Sequence, residues 1–211
     1  MKVGIIRSGG SNITSVINAV HKIGYETIVL NKPDRKVDFL MMPGVGNFGT
    51  ASRRLNDSGF LEYIKNHVKE GKPMMGICLG MQLLFETSAE DESARGLSFY
   101  NGHFEKIPEP MSLDQRSPPN IGYSFVEFTS HGGESSVEID LSYLNGYYYF
   151  LHSYALSTIP TETKMIGISE FNNKRIIPFV LKENTCGIQF HPERSGLRGL
   201  KFLSKIINMV K

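Results

Sequence analysis

Gly76-Ile77-Cys78-Leu79-Gly80 is the stretch that decides how this chain folds. An apolar, strand-like run over 73–77 leads into the cysteine, and a helix-like run, Met81-Gln82-Leu83-Leu84-Phe85, leaves it. Strand, sharp turn and helix in that order lift a nucleophile clear of the backbone. A side chain at either glycine would collide with neighbouring backbone or with a substrate. A helix starting behind Cys78 favours thiolate over thiol and offers N–H groups to a developing negative charge. A free cysteine is more commonly a small core residue. The glycine-flanked place after a strand sets Cys78 apart, whereas Cys186, just before Gly187 in another strand-like run, reads as core packing.

Outward from this turn, the first half alternates short aliphatic runs with amphipathic ones. Residues 3–6, 27–30, 39–42 and 74–77 are short, mainly apolar runs, as strands buried on both faces are. Helices are expected between them over 13–23, 49–55, 60–69 and 81–87, with Asn12 capping the first and Gly24 and Gly71 ending two of them. In the second half, residues 123–128, 147–151, 165–171 and 176–181 are aromatic and β-branched strand candidates, the last two joined by an Asn172-Asn173 turn. A further strand is expected over 185–190 and a final helix over 197–210. Leu197, Leu200, Leu203, Ile206, Ile207 and Val210 form the buried stripe of that helix, with Lys201 and Lys205 opposite. The polar, proline-rich stretch 109–119 reads as a surface loop. These elements predict one α/β domain over 1–211: an open, mostly parallel sheet flanked by helices, with additional antiparallel strands in the second half.

A base for the cysteine is expected in Gln189-Phe190-His191-Pro192-Glu193. Proline holds His191 extended and fixes its own φ, so residues 191 and 193 point to one side. Glu193 can then orient the His191 imidazole, which takes the thiol proton. Both Cys78 and His191 follow apolar strands, at the carboxyl edge where open α/β sheets bind ligands. Pro43-Gly44-Val45-Gly46-Asn47 ends at the same edge. By itself it is a tight turn; beside a thiolate, Gly44, Val45 and Gly46 become candidates for a backbone oxyanion donor. Gly9-Gly10-Ser11-Asn12 lacks the lysine and serine of a phosphate loop and reads as a turn before the first helix. His152-Ser153-Tyr154 ends a strand and suits substrate lining or packing, and Tyr147-Tyr148-Tyr149-Phe150 is a half-buried strand.

Composition narrows the rest. The chain has 211 residues, 40% hydrophobic and 21% charged, with a net charge of +2. That balance gives no support to nucleic-acid or membrane-surface binding. No apolar run approaches the roughly 20 residues that span a bilayer, and the amino terminus reads as a first strand. Two cysteines suggest no disulfide framework, and a reducing cytoplasm fits best. The six histidines show no metal-ligand spacing, so neither metal nor cofactor is expected.

Four motifs in register along nearly the whole chain resemble those of the class I (triad) glutamine amidotransferases. They are Pro43-Gly44-Val45-Gly46-Asn47-Phe48-Gly49, Gly76 to Phe85, Phe150-Leu151-His152-Ser153-Tyr154, and Gln189 to Ser195. Within that family the likeness is closest to the glutaminase subunits of imidazole glycerol phosphate synthases. The resemblance implies attack of Cys78 on the side-chain amide of glutamine. It also implies an oxyanion held by N–H groups of Leu79 and residues 44–46, a thioester, and release of ammonia. It further implies that Gly44, Gly46, Gln82, Ser153 and Tyr154 line the glutamine pocket, and that a cyclase or synthase subunit consumes the ammonia in a heterodimer. Two segments depart from the family pattern. Asn120-Ile121-Gly122-Tyr123-Ser124 stands where the family usually has His-Met-Gly-Trp-Asn, and Ser8-Gly9-Gly10-Ser11-Asn12 where it tends to have Tyr-Gly-x-Gly-Asn. Three alternatives therefore stand beside the synthase reading. One is a paralogue that amidinates a surface-polysaccharide sugar, another an amidohydrolase of γ-glutamyl compounds, and the third a non-catalytic binding subunit. The elements read above use essentially all 211 residues, so an acceptor-binding domain is expected on a second chain.

Overall fold

The computed structural model describes residues 1–7, 13–112, 117–131 and 140–210. The first half runs β1 (Lys2–Ile6), α1 (Ile13–Lys22), β2 (Glu26–Leu30), β3 (Phe39–Gly44), α2 (Phe48–Asp57), α3 (Phe60–Lys69), β4 (Met74–Cys78) and α4 (Leu79–Leu83). Three short strands are interleaved beyond it: β5 (Thr87–Ser88), β6 (His103–Lys106) and β9 (Tyr154–Ala155). The remaining elements are β7 (Asn120–Ser130), β8 (Gly146–His152), β10 (Met165–Phe171), β11 (Lys174–Lys182), β12 (Thr185–Ile188) and α5 (Gly196–Met209). Described strands form one sheet in the order β2-β1-β3-β4-β12-β11-β10-β7-β8 and a small one in the order β5-β6-β9. Pairing from β2 through β12 is parallel, and from β12 through β8 antiparallel. This is the α/β architecture expected, with the parallel part built by the aliphatic runs. Apolar side chains fill both faces of the sheet: one packs Val16, Val20, Leu203 and Ile207, the other Leu55, Ile64 and Phe85. Among the described residues no helix is long and apolar enough to cross a membrane.

Several boundaries differ from expectation, each for a local reason. The helix expected over 81–87 stops at Leu83, because the loop 96–100 takes its carbonyls. Leu97 N–H donates to the Leu83 carbonyl at 2.7 Å, Phe99 to Leu84 at 2.9 Å and Gly96 to Glu86 at 3.0 Å. The strand expected over 185–190 ends at Ile188, since the next ladder partner on β11 is Pro178, which has no N–H to give. Leu197 is 78% exposed and stands outside the buried stripe. Gly199 faces the core instead, and a Cβ there would lie 1.9 Å from the Pro192 carbonyl oxygen. Leu197, two residues earlier, is about 200° around the helix and points out. The small second sheet was not expected: its strands are two to four residues long, too short for any periodic signal. Asn172 and Asn173, at φ 51° and 60°, form the expected turn between β10 and β11. The Gly9-Gly10-Ser11-Asn12 turn, the Asn12 cap, Ser8 and the middle of the 109–119 loop lie outside the described residues.

The elbow at Cys78 depends on close backbone approach. A Cβ on Gly80 would sit 1.7 Å from the Met42 carbonyl oxygen, and one on Gly76 2.5 Å from the Gly80 carbonyl oxygen. β3, β4 and the first turn of α4 therefore touch through bare backbone. On the other side of the sheet position, Asn120 and His152 pair across β7 and β8. His152 Nδ1 donates to the Tyr154 carbonyl at 2.8 Å, which leaves Nε2 to accept from Asn120 Nδ2 at 3.1 Å. Burial holds this imidazole neutral and pushes its pKa down to about 4.

Two outcomes follow. Gly80→Ala should lower the urea midpoint by the equivalent of roughly 3 kcal/mol, because backbone must move. Gly71→Ala, with φ 76° but open space around its Cβ, should cost only about 1 kcal/mol; equal losses would contradict the close-approach account. For His152 the folded pKa lies below the unfolded one, so its stabilising contribution is complete above about pH 6.5 and lost as pH falls towards 4. The stability difference between wild type and His152→Gln, from urea melts, should thus shrink by on the order of 2–3 kcal/mol between pH 7 and 4.5. A constant difference would mean that His152 titrates normally.

Candidate active site

Cys78 ends β4 with φ 55° and ψ −113°, a backbone conformation that costs an L residue about 1–3 kcal/mol. That conformation turns the chain from strand into α4. Leu79 is the first residue of α4, so its N–H has no acceptor within the helix. β3 ends alongside: Gly44 is in register with Cys78. The chain then turns through Val45, 40% exposed, and Gly46 at φ 112°. Residues 45–46 thus lie at the rim beside the sulfur, and Gly46 supplies the conformational freedom for its flanking peptides to turn.

His191 reaches the same edge from β12. After Ile188 the chain leaves the ladder: Gln189 N–H donates to the Pro178 carbonyl at 2.8 Å and His191 N–H to the Tyr149 carbonyl of β8 at 2.7 Å. Ser195 fastens the following turn, its hydroxyl donating to the His191 carbonyl at 2.7 Å and accepting from the Tyr149 N–H at 3.0 Å. His191 Nδ1 and Glu193 Oε1 are 2.8 Å apart, with both side chains 7% exposed. A carboxylate only accepts, so Nδ1 carries the proton and Nε2 is left for chemistry. Nε2 is buried, and no hydrogen bond of ordinary geometry engages it. Burial lowers the imidazole pKa, but the adjacent Cys78 sulfur and the Glu193 carboxylate outweigh it and raise the value to about 10. The structure therefore brings Cys78, His191 and Glu193 together from β4 and the segment after β12.

A cavity of about 280 Å³ opens at the sulfur. Val45, Gly46, Cys78, Leu79, Gln82, Ser153 and Tyr154 line it. Gly44 lies instead in an adjoining hollow of about 350 Å³ with His191 and Glu193, and Val45 and Leu151 border both spaces. A larger groove, about 690 Å³, runs between Tyr143 and the α5 residues Lys201 and Lys205, and its described lining holds no cysteine, histidine or carboxylate. Cys186 is fully buried and burial drives its pKa far up, as befits packing. Among the described residues no group of His, Cys, Asp and Glu could hold a metal ion.

Sequence reasoning passed over three groups, one in the cavity wall and two at the sulfur. Glu90 is the single carboxylate among the described residues lining the 280 Å³ cavity, and its Oε2 accepts the Phe48 N–H at the start of α2 at 2.6 Å. It sits in the plain acidic run Glu90-Asp91-Glu92, which carries no motif. The Leu151 carbonyl lies 3.7 Å from the Cys78 sulfur, and Gln189 Nε2 lies 3.7 Å from it on another side. Gln189 was within a quoted motif, but spacing alone does not reveal a backbone carbonyl or a side chain behind the nucleophile.

Comparison with known proteins gives the family and the fold. A family model described as glutamine amidotransferase class-I matches residues 5–207. The imidazole glycerol phosphate synthase subunit HisH of Thermotoga maritima is 33% identical over 213 residues, covering 98% of this chain and 96% of that one. The HisH subunit of Methanopyrus kandleri is 34% identical over 212 residues, covering 98% of each. Against the imidazole glycerol phosphate synthase hisHF of Emericella nidulans, 33% identical, the chain spans only 36% of the relative's length. A crystal structure of a glutamine amidotransferase superposes with a TM-score of 0.70 at 15% identity, covering 99% of this chain and 98% of that one. PurLQS from Thermotoga maritima gives 0.67 at 18%, covering 100% and 99%, and these two likenesses speak for the fold. From strand order to the cysteine turn, this chain belongs to the class-I glutamine amidotransferase family.

Proposed function

We propose that this chain hydrolyses glutamine to glutamate and ammonia and passes the ammonia to a synthase subunit, within an imidazole glycerol phosphate synthase. The observation that carries the reading is the strained Cys78 turn beside an imidazole held by Glu193, at the mouth of a small cavity. Glutamine enters that cavity with its side-chain amide at the sulfur. Glu90 takes its α-ammonium, and Gln82, Ser153 and Tyr154 line the remainder. The Cys78 proton passes to His191, and the thiolate Sγ then bonds to the amide carbon. The oxyanion is received by the Leu79 N–H and by a peptide N–H of 44–46, each donor lowering the barrier by roughly 3 kcal/mol. His191 then protonates the departing nitrogen, the C–N bond breaks, and ammonia leaves a thioester. Water, deprotonated by His191, cleaves the thioester to glutamate and restores the thiol.

An acceptor subunit is supported by an exposed apolar face next to this cavity. Ile121, Tyr123 and Phe125 on β7 and Tyr147 on β8 are 47–62% exposed. Phe125 meets Tyr147, and Tyr123 meets Tyr149, edge to face. Ile121 stands opposite Leu151, a residue of the cavity wall. Contiguous exposed aromatics of this kind mark a partner surface. The relatives named as HisH subunits and hisHF proteins favour the imidazole glycerol phosphate assembly. The 120–124 segment, lying in this same face, favours a second reading in which the acceptor is a surface-polysaccharide sugar; the chain that co-purifies decides between them.

In the complex, Cys78→Ala should lower glutamine-dependent synthesis at least about 1,000-fold and leave synthesis from ammonium salts intact. Loss of both activities would contradict a separate ammonia-consuming site. Glu90→Gln should raise the KM for glutamine at least about tenfold with a smaller change in kcat, as expected for a charge pair made in ground and transition states alike. An unchanged KM would remove Glu90 from the proposed pocket.

A further inference from the structure

Gln189 is 1% exposed and is not among the residues lining the cavity at Cys78; it lies behind the sulfur. Its backbone is anchored by the bond to Pro178. Its side chain joins two members of the site: Gln82 Nε2 donates to Gln189 Oε1 at 3.4 Å, and Gln189 Nε2 donates to Cys78 Sγ at 3.7 Å. The two amides thus run head to tail from the cavity wall to the sulfur. Reversing Gln189 alone would set two NH2 groups against each other and turn a carbonyl oxygen to the sulfur.

The polar neighbours of Sγ differ in which charge state they suit. The Leu151 carbonyl can only accept, so it serves the thiol; the Gln189 N–H can only donate, so it serves the thiolate. Around the sulfur, the described titratable and charged groups are His191, backed by Glu193, then His152, Glu90 and Tyr154 in the cavity wall, and Arg194 in the adjoining hollow. The Gln189 bond favours negative charge on Sγ, as does the adjacent His191 imidazole.

We infer that Gln189 is a positioning residue for the proposed reaction, acting in two directions: one amide edge stabilises the Cys78 thiolate and the other fixes the orientation of Gln82 towards glutamine. This rests on Cys78 being the nucleophile. It accounts for a fully buried amide at a place where packing alone would favour an apolar side chain.

The test is the pH dependence of Cys78 alkylation by iodoacetamide in the full chain, followed by mass spectrometry. Gln189→Met keeps side-chain length but has no amide. It should slow labelling at pH 7 at least about tenfold and move the midpoint up by about one pH unit. In the synthase complex it should also raise the KM for glutamine several-fold, and that KM effect should vanish in a Gln82→Ala background while slow labelling persists. Gln189→Glu, nearly isosteric, keeps the acceptor for Gln82 and loses the amide donor; at pH 8 it should slow labelling with little change in KM, and it serves if the methionine variant does not fold. Wild-type labelling rates and midpoints in either folded variant would overturn the inference. Absence of glutamine hydrolysis by the wild-type complex would instead remove the glutaminase reading and leave the labelling comparison standing.

Discussion

The site depends on the bare-backbone contact among β3, β4 and α4. A Cys78 residue at φ 55° is held against its own preference, and such strain persists only where the surroundings fix it. Here they do so with almost no side chains between: Gly80 abuts the Met42 carbonyl and Gly76 abuts the Gly80 carbonyl. One added methyl at either glycine would prise the strand from the turn. The same close pairing sets Gly44 beside Cys78, so the segment that carries the proposed oxyanion donors is fixed relative to the nucleophile by sheet register. Strain, oxyanion geometry and the cavity mouth share one structural origin.

The second half of the chain supplies the base. β12 lies beside β4 in parallel, which brings the segment after Ile188 to the same sheet edge as Cys78. Pro178 ends the ladder there, and the released chain is captured by β8 through Tyr149 and Ser195. His191 is thus positioned by three strands as well as by Glu193. β8 also contributes the Leu151 carbonyl at the sulfur and carries the exposed aromatic face with β7. A partner seated on that face would press on the strand that both holds the His191 backbone and touches the nucleophile, a direct physical link between docking and catalysis.

Much of this was legible in the sequence because it was written in strong local signals. Aliphatic runs marked the parallel strands and paired glycines marked the Cys78 turn; the pairing of His191 with Glu193 was expected from an extended backbone, whereas a 3-10 turn over Pro192–Arg194 brings the two together. What escaped was decided by tertiary hydrogen bonding. The helix after Cys78 ended at Leu83 because a distant loop claimed its carbonyls, and Leu197 was exposed because Gly199, without a side chain, faced the core. Glu90 joined the cavity through one bond to the Phe48 N–H, which no spacing encodes. Gln189 lay inside a recognised motif, yet its contacts with Gln82 and the sulfur come from packing between β12 and α4.

The central claim is that Cys78 and His191 act on each other's charge. Titration of His191 by carbon NMR, with labelled imidazole and assignment through His191→Gln, measures this directly in wild type and Cys78→Ala. The account predicts a wild-type midpoint well above the ordinary histidine value of about 6.5, falling by at least about one pH unit when the sulfur is removed. A midpoint that is the same in both proteins would show that the two groups are not coupled, and the proposed mechanism would not stand.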